Sequence, residues 1–406
     1  MGLVVQKFGG SSVATIDKIR NVAGKVVGEV NNGNQVVATV SAMGDLTDDL
    51  ITMARQTGND LSSREMDMLL TTGEQQSAAL LALTLQNMGY NAISLTGWQA
   101  GIATDEVHSK ARITRIQPDR IQQELDRGNI VVVAGFQGLS PDGELTTLGR
   151  GGSDTTAVAL AASLNADVCD IYTDVSGVYT ADPRIVKEAS KLDQISYDEM
   201  LELASLGAVV LQPRAVEFAM LYNVVVRVRS SFSDEQGTYV MEVSKLEKER
   251  IVSGVAHDLN VAKVALFDVP DRPGVAKTIF KALATEAINV DMIIQAAMRD
   301  DRNDIAFTIT KDDLNKAVPV VENLTREIGA SGMYFGENVA KISIVGAGMQ
   351  SNPGVAATMF ECLADAGINI QMISTSEIKV SCVIDAVDIQ RAVKALHYQF
   401  RLNELD

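Results

Sequence analysis

The sequence predicts an α/β protein, with one large doubly wound domain followed by two copies of a small α+β unit. Three observations predict it. Stretches with strand and helix signatures alternate through the first half of the chain. Residues 130–135 (IVVVAG) are apolar on both faces, as strands of a parallel sheet covered by helices on both sides are. Residues 273–293 align with 353–373 without a gap at an offset of 80, with 12 of 21 positions identical. A hydrophobic content of 46% over 406 residues is enough for a large core and two or three domains.

Taken in order, residues 3–8 (LVVQKF) read as a strand running into Gly9, Gly10, Ser11 and Ser12, then a helical pattern over 13–30. Lys7 at the strand end and free N–H groups in the glycine turn converge where a phosphate fits. This is not a Walker A loop, whose lysine follows its glycines. Residues 35–41 form the next strand, ending at Ser41 and a loop with Thr47. Small polar residues there either touch a ligand or cap the helix starting near residue 47. The helix over 64–85 carries Glu74 directly after Gly73 in an apolar run. That carboxylate faces solvent or, if buried, must be paired or face a ligand. Residues 91–102 make a strand and a loop holding Trp98, which needs no role beyond packing. A helix over 117–128 leads to the strand at 130–135.

The chain is organised around residues 145–165, LTTLGRGGSDTTAVALAASLN. Ser153 and Asp154 stand where an N-cap belongs, ahead of an alanine-rich helix. Gly151 and Gly152 let the backbone approach a ligand closely, and a helix N-terminus favours an anion. Arg150 adds a planar cation with bidentate geometry. The stretch reads as an anion-handling loop or as a glycine-rich start to a buried helix. The strand DVCDIYTD then ends at Thr173 and Asp174, and Asp182-Pro183-Arg184 makes a turn with a charge on each side.

Composition excludes several classes. A net charge of −17, from 35 basic and 52 acidic residues, disfavours binding to nucleic acid or an anionic membrane. No signal peptide, no myristoylation signal (position 6 is Gln6) and no run of about 18 apolar residues is seen. Cys169, Cys362 and Cys382 read as thiols of a cytoplasmic protein. His108, His257 and His397 are scattered, which disfavours Ser-His-Asp or His-zinc chemistry and leaves surface or packing roles.

Together KFGGSS, SAMGD, TTGE, TTLGRGGSDTTA and IYTDVSGVYTADPR resemble the aspartokinase pattern of the amino-acid kinase family, and the resemblance runs over the whole chain. It implies an αβα sandwich kinase domain with a mostly parallel sheet over residues 1–245. It implies transfer of the ATP γ-phosphoryl to the side-chain carboxylate of L-aspartate, giving 4-phospho-L-aspartate, the first step toward lysine, threonine and methionine. ATP and Mg²⁺ are the implied cofactors, with the metal carried by the nucleotide and no metal site on the protein. The acceptor carboxylate is already ionised at neutral pH, so no general base is needed. An anion must be brought onto a polyanion, which calls for positioning and fixed positive charge.

By the resemblance, Lys7, Glu74 and Arg150 are the catalytic set. Ser41, Thr47, Glu74, Arg150, Gly151, Gly152 and Ser153 are implied to hold aspartate, Glu74 suiting the α-ammonium and Arg150 the α-carboxylate. The nucleotide phosphates are implied to lie against Lys7, Phe8, Gly9, Gly10 and Ser11. Its base and ribose are implied to lie against Thr173, Asp174, Tyr179, Asp182 and Arg184. Two positions depart from the family. It commonly has Asp where Ser176 stands, and lysine at the end of Leu206-Gly207-Ala208-Val209, a difference that implies weaker nucleotide affinity.

Residues 231–250 are polar and read as the exit from the first domain and a linker. Each copy of the repeat reads strand, helix, strand, strand, helix. The first has strands at 261–269, 289–295 and 304–310, with helices after Pro273-Gly274 and from about 312. The second has strands at 339–348, 369–375 and 377–385, with helices after Pro353-Gly354 and at the chain end. Such a pair either only dimerises or also binds a ligand. It resembles two ACT domains, of ferredoxin-like fold, spanning 260–336 and 337–406. ACT domains bind amino acids where strand meets helix, which implies feedback inhibition by lysine, threonine or both. Asp271, Asn289, Val290, Asp291 and Gln295 are the candidate effector contacts in the first copy; Asn352, Asn369, Ile370 and Ser376 are those in the second. ACT pairing implies a homo-oligomer, and an internal start at Met241 would give a shorter regulatory subunit. A kinase of acetylglutamate or glutamate is disfavoured by the ACT pair together with the KFGGSS and TTLGRGGSD loops. A catalytically dead sensor is disfavoured by Lys7, Glu74 and Arg150.

Overall fold

In a computed structural model, which describes residues 2–58, 61–206, 210–242, 250–296 and 301–404, strand periodicity and glycine turns produce alternating elements through the first half. They run β1 (Leu3–Phe8), α1 (Ile16–Asn31), β2 (Gln35–Val40), α2 (Leu46–Thr57), α3 (Ser63–Asn87), β3 (Ala92–Leu95), β4 (Ile102–Thr104) and β5 (Ile113–Ile116). Next come α4 (Asp119–Asp126), β6 (Ile130–Ala134), β7 (Gln137–Leu139), β8 (Leu145–Thr147), α5 (Gly152–Leu164) and β9 (Val168–Thr173). They close with β10 (Gln194–Ile195), α6 (Tyr197–Ser205), α7 (Pro213–Tyr222), β11 (Val226–Ser230) and β12 (Thr238–Val240).

The chain divides into two units. The first comprises Met1–Val178, Lys191–Ser205 and Val209–Ser244; the second comprises Tyr179–Ser190, Leu206–Ala208 and Lys245–Asp406. In the first, an eight-stranded sheet runs β10-β12-β11-β9-β1-β2-β6-β3. Its pairs are parallel except β11 with β12. All five residues of β6 are buried, as the unbroken apolar run requires. One core cluster joins α1 and α3 to the sheet through Val22, Val26, Leu81 and Leu85; α5 and α7 pack together, with α5 also against β1 and β9.

Local differences have identifiable causes. Helix α1 starts at Ile16, later than the pattern suggests, because Gly10–Ser12 form a 3₁₀ turn and the Thr15 side chain accepts the Lys18 N–H as N-cap. A second, four-stranded sheet, β5-β4-β7-β8, was not expected; its strands are too short and polar to show a period. Thr238–Val240 belongs to the main sheet and not to a linker, while residues 243–249 lie outside the described residues.

The second unit holds β13 (Gly254–Pro270), α8 (Val275–Thr285), β14 (Ile293–Gln295), β15 (Arg302–Ile309), α9 (Leu314–Ile328), β16 (Gly332–Val345), α10 (Val355–Asp365), β17 (Met372–Thr375), β18 (Lys379–Asp385) and α11 (Ile389–Gln399). They form one six-stranded sheet, β14-β15-β13-β16-β18-β17. The two copies exchange strand halves. Gly254–Asp258, at the start of β13, pairs with Lys341–Val345 of the second copy, and Val261–Phe267 pairs with the first half of β16. A register shift at the exposed Leu259 and Asn260 separates the halves. Each copy therefore has four strands, not the three its own segment suggests.

The segment Tyr179–Ser190 is docked on this second unit. Ala181 and Val186 join the core cluster of Ile342, Met359 and Leu396, and buried Thr180 meets His397 Nε2 at 2.9 Å. Burial lowers the affinity of His397 and His257 for protons. Cys169 and Cys382 are buried and free, and burial pushes the Cys382 thiol up to about 12. No helix among the described residues is long and apolar enough to cross a membrane.

Candidate active site

The first unit's parallel strands end on a cavity of about 1220 Å³. In open α/β sheets, ligands bind outside the carboxyl ends of the strands. Lys7 near the end of β1, Ser41 after β2, Phe136 after β6 and Thr173 at the end of β9 all line it. Two glycine segments, around Gly10 and Gly151, also line it. A side chain at Gly10 would put its Cβ 3.0 Å from the Ala42 and Gly44 carbonyl oxygens. Gly151 has φ +68, and a Cβ there would fall 1.8 Å from Gln212 Cγ. A side chain would crowd the backbone at Gly10 and would displace Gln212 at Gly151.

Lys7 Nζ is held by Asp154 Oδ1 at 2.6 Å, with both side chains about nine-tenths buried. Ser153 and Asp154 do not cap α5. The cap is Gly151, whose left-handed backbone starts the helix two or three residues earlier than a cap at Ser153 or Asp154 would. Asp154 lies instead in the first turn, where the helix dipole favours a carboxylate and where it can fix Lys7.

Glu74 is buried, only 3% exposed. Its Oε1 accepts the Ala42 N–H at 3.1 Å, and its Oε2 is buried without a partner. Burial pushes its carboxyl up to about 8, against the pull of backbone hydrogen bonds. A buried acceptor aimed at a cavity suits a cationic group, whose arrival would ionise it.

Lys7, Gly9, Gly10, Ser41, Thr47, Glu74, Arg150, Gly151, Gly152, Ser153 and Thr173 share this one cavity. Phe8 does not offer its side chain, which is fully buried and stacked on Tyr172 at 4.7 Å; any ligand contact there falls to its backbone. The Ser11 carbonyl accepts from Lys18 Nζ. Asp174 is exposed beside Thr173. Tyr179, Asp182 and Arg184 belong to the segment of the second unit, where Asp182 accepts from Arg184 and its carboxyl is lowered by it. Ser176 donates to Glu235, which also pairs with Lys191, and Val209 lies outside the described residues.

Sequence reasoning missed several lining residues. Asp154 as the partner of Lys7, the cations Lys110, Arg112 and Arg214, and Gln212 and Phe218 all reach the cavity. Their separations of tens of residues leave no local signal; the LQPRA stretch is only a helix start in sequence. Among the described residues no group of three or more His, Cys, Asp or Glu could hold a metal ion.

The profile of the amino acid kinase family matches residues 2–230, more than half of the chain. The chain belongs to the amino acid kinase family. The ACT domain profile matches residues 268–324 and 342–400 of this kinase. An aspartokinase of Bacillus sp. (strain MGA3) is 54% identical over 403 residues, 99% of this chain and 98% of the relative. E. coli aspartokinase III in complex with aspartate and ADP is 25% identical, superposes with a TM-score of 0.82 and is covered at 98% of this chain and 99% of its own. The same enzyme with lysine and aspartate is 26% identical at a TM-score of 0.77, with 98% and 99% covered. Within its family the chain is an aspartokinase.

In the second unit the candidate effector positions are spread along strand ends. Asp291 is paired with Lys341, whose side chain is only 5% exposed; Lys341 was not foreseen. The Asp271 N–H donates to the Asp301 carbonyl, and Gln295 closes β14. Asn289 and Val290 follow α8; Val290 packs on its core. Asn352 donates to the Gly348 carbonyl at 2.8 Å, the Ser376 N–H to the Lys379 carbonyl. Ile370 packs on the second copy's core, beside Asn369.

Proposed function

We propose that this cavity brings the β-carboxylate of L-aspartate against the γ-phosphorus of ATP, giving 4-phospho-L-aspartate and ADP. The observation that carries the reading is Glu74: a buried carboxyl with one unpartnered oxygen, in a cavity whose lining also carries the cations Lys7, Lys110, Arg112, Arg150 and Arg214. Glu74 takes the α-ammonium of aspartate, and Arg150 at the rim takes the α-carboxylate. Ser41, Thr47 and the Gly151–Ser153 backbone orient the rest. Lys7, steadied by Asp154, sits between the two glycine segments and stabilises the charge that develops on the transferred phosphoryl group. The reacting carboxylate attacks in line, the bond to the β-phosphate oxygen breaks, and ADP leaves with the electron pair. No proton needs to move. Mg²⁺, carried by the nucleotide, supplies positive charge to the phosphates.

Thr173, Asp174, Tyr179, Asp182 and Arg184 are the proposed contacts of base and ribose. The second unit is proposed to bind lysine, threonine or both at the strand ends carrying Asp291 and Asn369, and to form a homo-oligomer through ACT pairing. The complex of E. coli aspartokinase III with lysine and aspartate supports lysine as an effector. A cytoplasmic location fits three free thiols.

The test is hydroxylamine trapping of the acyl phosphate formed with Mg-ATP. Aspartyl hydroxamate is expected with aspartate, and no glutamyl hydroxamate with glutamate. A preference for glutamate would overturn the assignment.

A further inference from the structure

We propose that Asp67 is a positioning residue for the aspartate half of the site: with Arg214, it clamps residues 108–112 against the loop that carries Arg150. The proposal rests on the reading that the Arg150–Ser153 loop holds aspartate.

Asp67 is fully buried on α3, seven residues before Glu74 and so on the same helix face two turns away. Its Oδ1 accepts from Thr147 Oγ1 at 2.6 Å and its Oδ2 lies 2.8 Å from His108 Nδ1. Both oxygens accept the Ser109 N–H, at 3.1 and 3.0 Å. Ser109 has φ 67, a strained left-handed conformation for a non-glycine residue, and these bonds hold it there. Thr147 immediately precedes Leu148-Gly149-Arg150, and its carbonyl accepts the Ala111 N–H at 2.9 Å.

Arg214 closes the same joint from α7. Its Nη1 donates to the Leu148 carbonyl at 3.0 Å and its Nη2 to the Ala111 carbonyl at 2.8 Å. One planar fork thus spans the two segments, which a lysine cannot do. A Cβ at Gly149 would stand 3.1 Å from the Ser109 carbonyl, so the segments are in close contact. One carboxylate and one guanidinium therefore fix the relative position of two loops, and with it where Arg150, Lys110 and Arg112 meet the ligand.

The test measures KM for aspartate and for ATP separately in Thr147→Val, Arg214→Lys and their double variant, with Asp67→Ala and Asp67→Asn. Thr147→Val and Arg214→Lys are each expected to raise KM for aspartate about fivefold, the loss of one hydrogen bond, and Asp67→Ala to raise it more, with KM for ATP within about twofold throughout. The double variant should fall short of the product of the two, because both act on one joint. Asp67→Asn, which keeps an acceptor for Thr147 and Ser109, should be milder than Asp67→Ala. If Asp67→Ala does not fold, Thr147→Val and Arg214→Lys decide the matter. An unchanged aspartate KM, or effects that multiply fully, would overturn the clamp. Arg150→Ala separates the two levels. If it raises KM for aspartate while the clamp variants do not, only the clamp fails. If it leaves KM for aspartate unchanged, the underlying reading of the loop fails and takes the clamp with it.

Discussion

The two units use the same residue types for different ends. In the first, Gly151 has both a positive φ and no room for a side chain, since Gln212 occupies the place of its Cβ. In the second, Gly274 and Gly354 have φ +100 with nothing within 4 Å of a built Cβ. The first glycine answers to space at a site and the other two to the conformation that starts a helix. Charges divide similarly. Glu74 is buried with an unpartnered oxygen, whereas buried Lys341 is satisfied by the half-exposed Asp291. The open oxygen of Glu74 borders a cavity in which a ligand can complete it, whereas Lys341 already has its partner.

The largest expected effect tests the first unit alone. Lys7→Ala removes charge at the transferred phosphoryl group and should lower kcat/KM by at least about a hundredfold, near 3 kcal/mol. Binding of lysine or threonine, followed by calorimetry, should be unchanged. Loss of effector binding in the same variant would break the division of labour.

Glu74→Gln comes next. It should raise KM for aspartate about tenfold or more by removing the negative charge that faces the α-ammonium. In the unaltered enzyme KM for aspartate should fall as pH rises toward about 8, because Glu74 must ionise to bind a cation, and the variant should lose that dependence. Stability gives an independent check of sign. Its carboxyl is raised above its ordinary value, so the stabilisation from protonated Glu74 is full below about 4.5 and lost as pH rises through about 8. The melting temperature of the unliganded variant should gain on that of the unaltered enzyme across that window.

Lys341→Met probes the paired charge. Replacing a buried cation by an apolar side chain should leave the fold as stable or more so, since Asp291 remains half-exposed. Inhibition by effector should weaken about 5- to 150-fold in half-inhibitory concentration, the usual span of an allosteric coupling. Unchanged inhibition would move the effector site away from Asp291.

The smallest effect comes from Gly354→Ala. Strain without a clash should cost about 1 kcal/mol of stability and leave turnover unaltered. Gly151→Ala should lose turnover as well, because Gln212 must move. Equal losses of turnover in the two would erase the distinction between the glycines.

Much of this was legible in sequence, for physical reasons that can be named. β6 shows because a strand buried on both faces can be apolar without interruption, and β1, β2 and β9 show as short β-branched runs even with Lys7, Thr39 and Asp170 inside them. The site's glycine segments show because close backbone approach admits no substitute. The repeat shows because many of its identities lie where it packs, at Leu283 and Leu363 or Ile288 and Ile368, while the less buried Asp291 is replaced by Gln371. What stayed hidden depends on contacts distant in sequence. Asp67 meets Thr147 across 80 residues, and Thr180 meets His397 across 217, which assigns Tyr179–Ser190 to the second unit. The start of α5 was misplaced because a left-handed glycine can cap a helix as well as a serine can. The small sheet was missed because three- and four-residue strands carry no readable period.

One assay is decisive, ADP release with Mg-ATP and aspartate, alone and with lysine, threonine or both. The prediction is release that requires aspartate and falls when an effector is added. Release without aspartate, or none while an amino acid still binds, would contradict it.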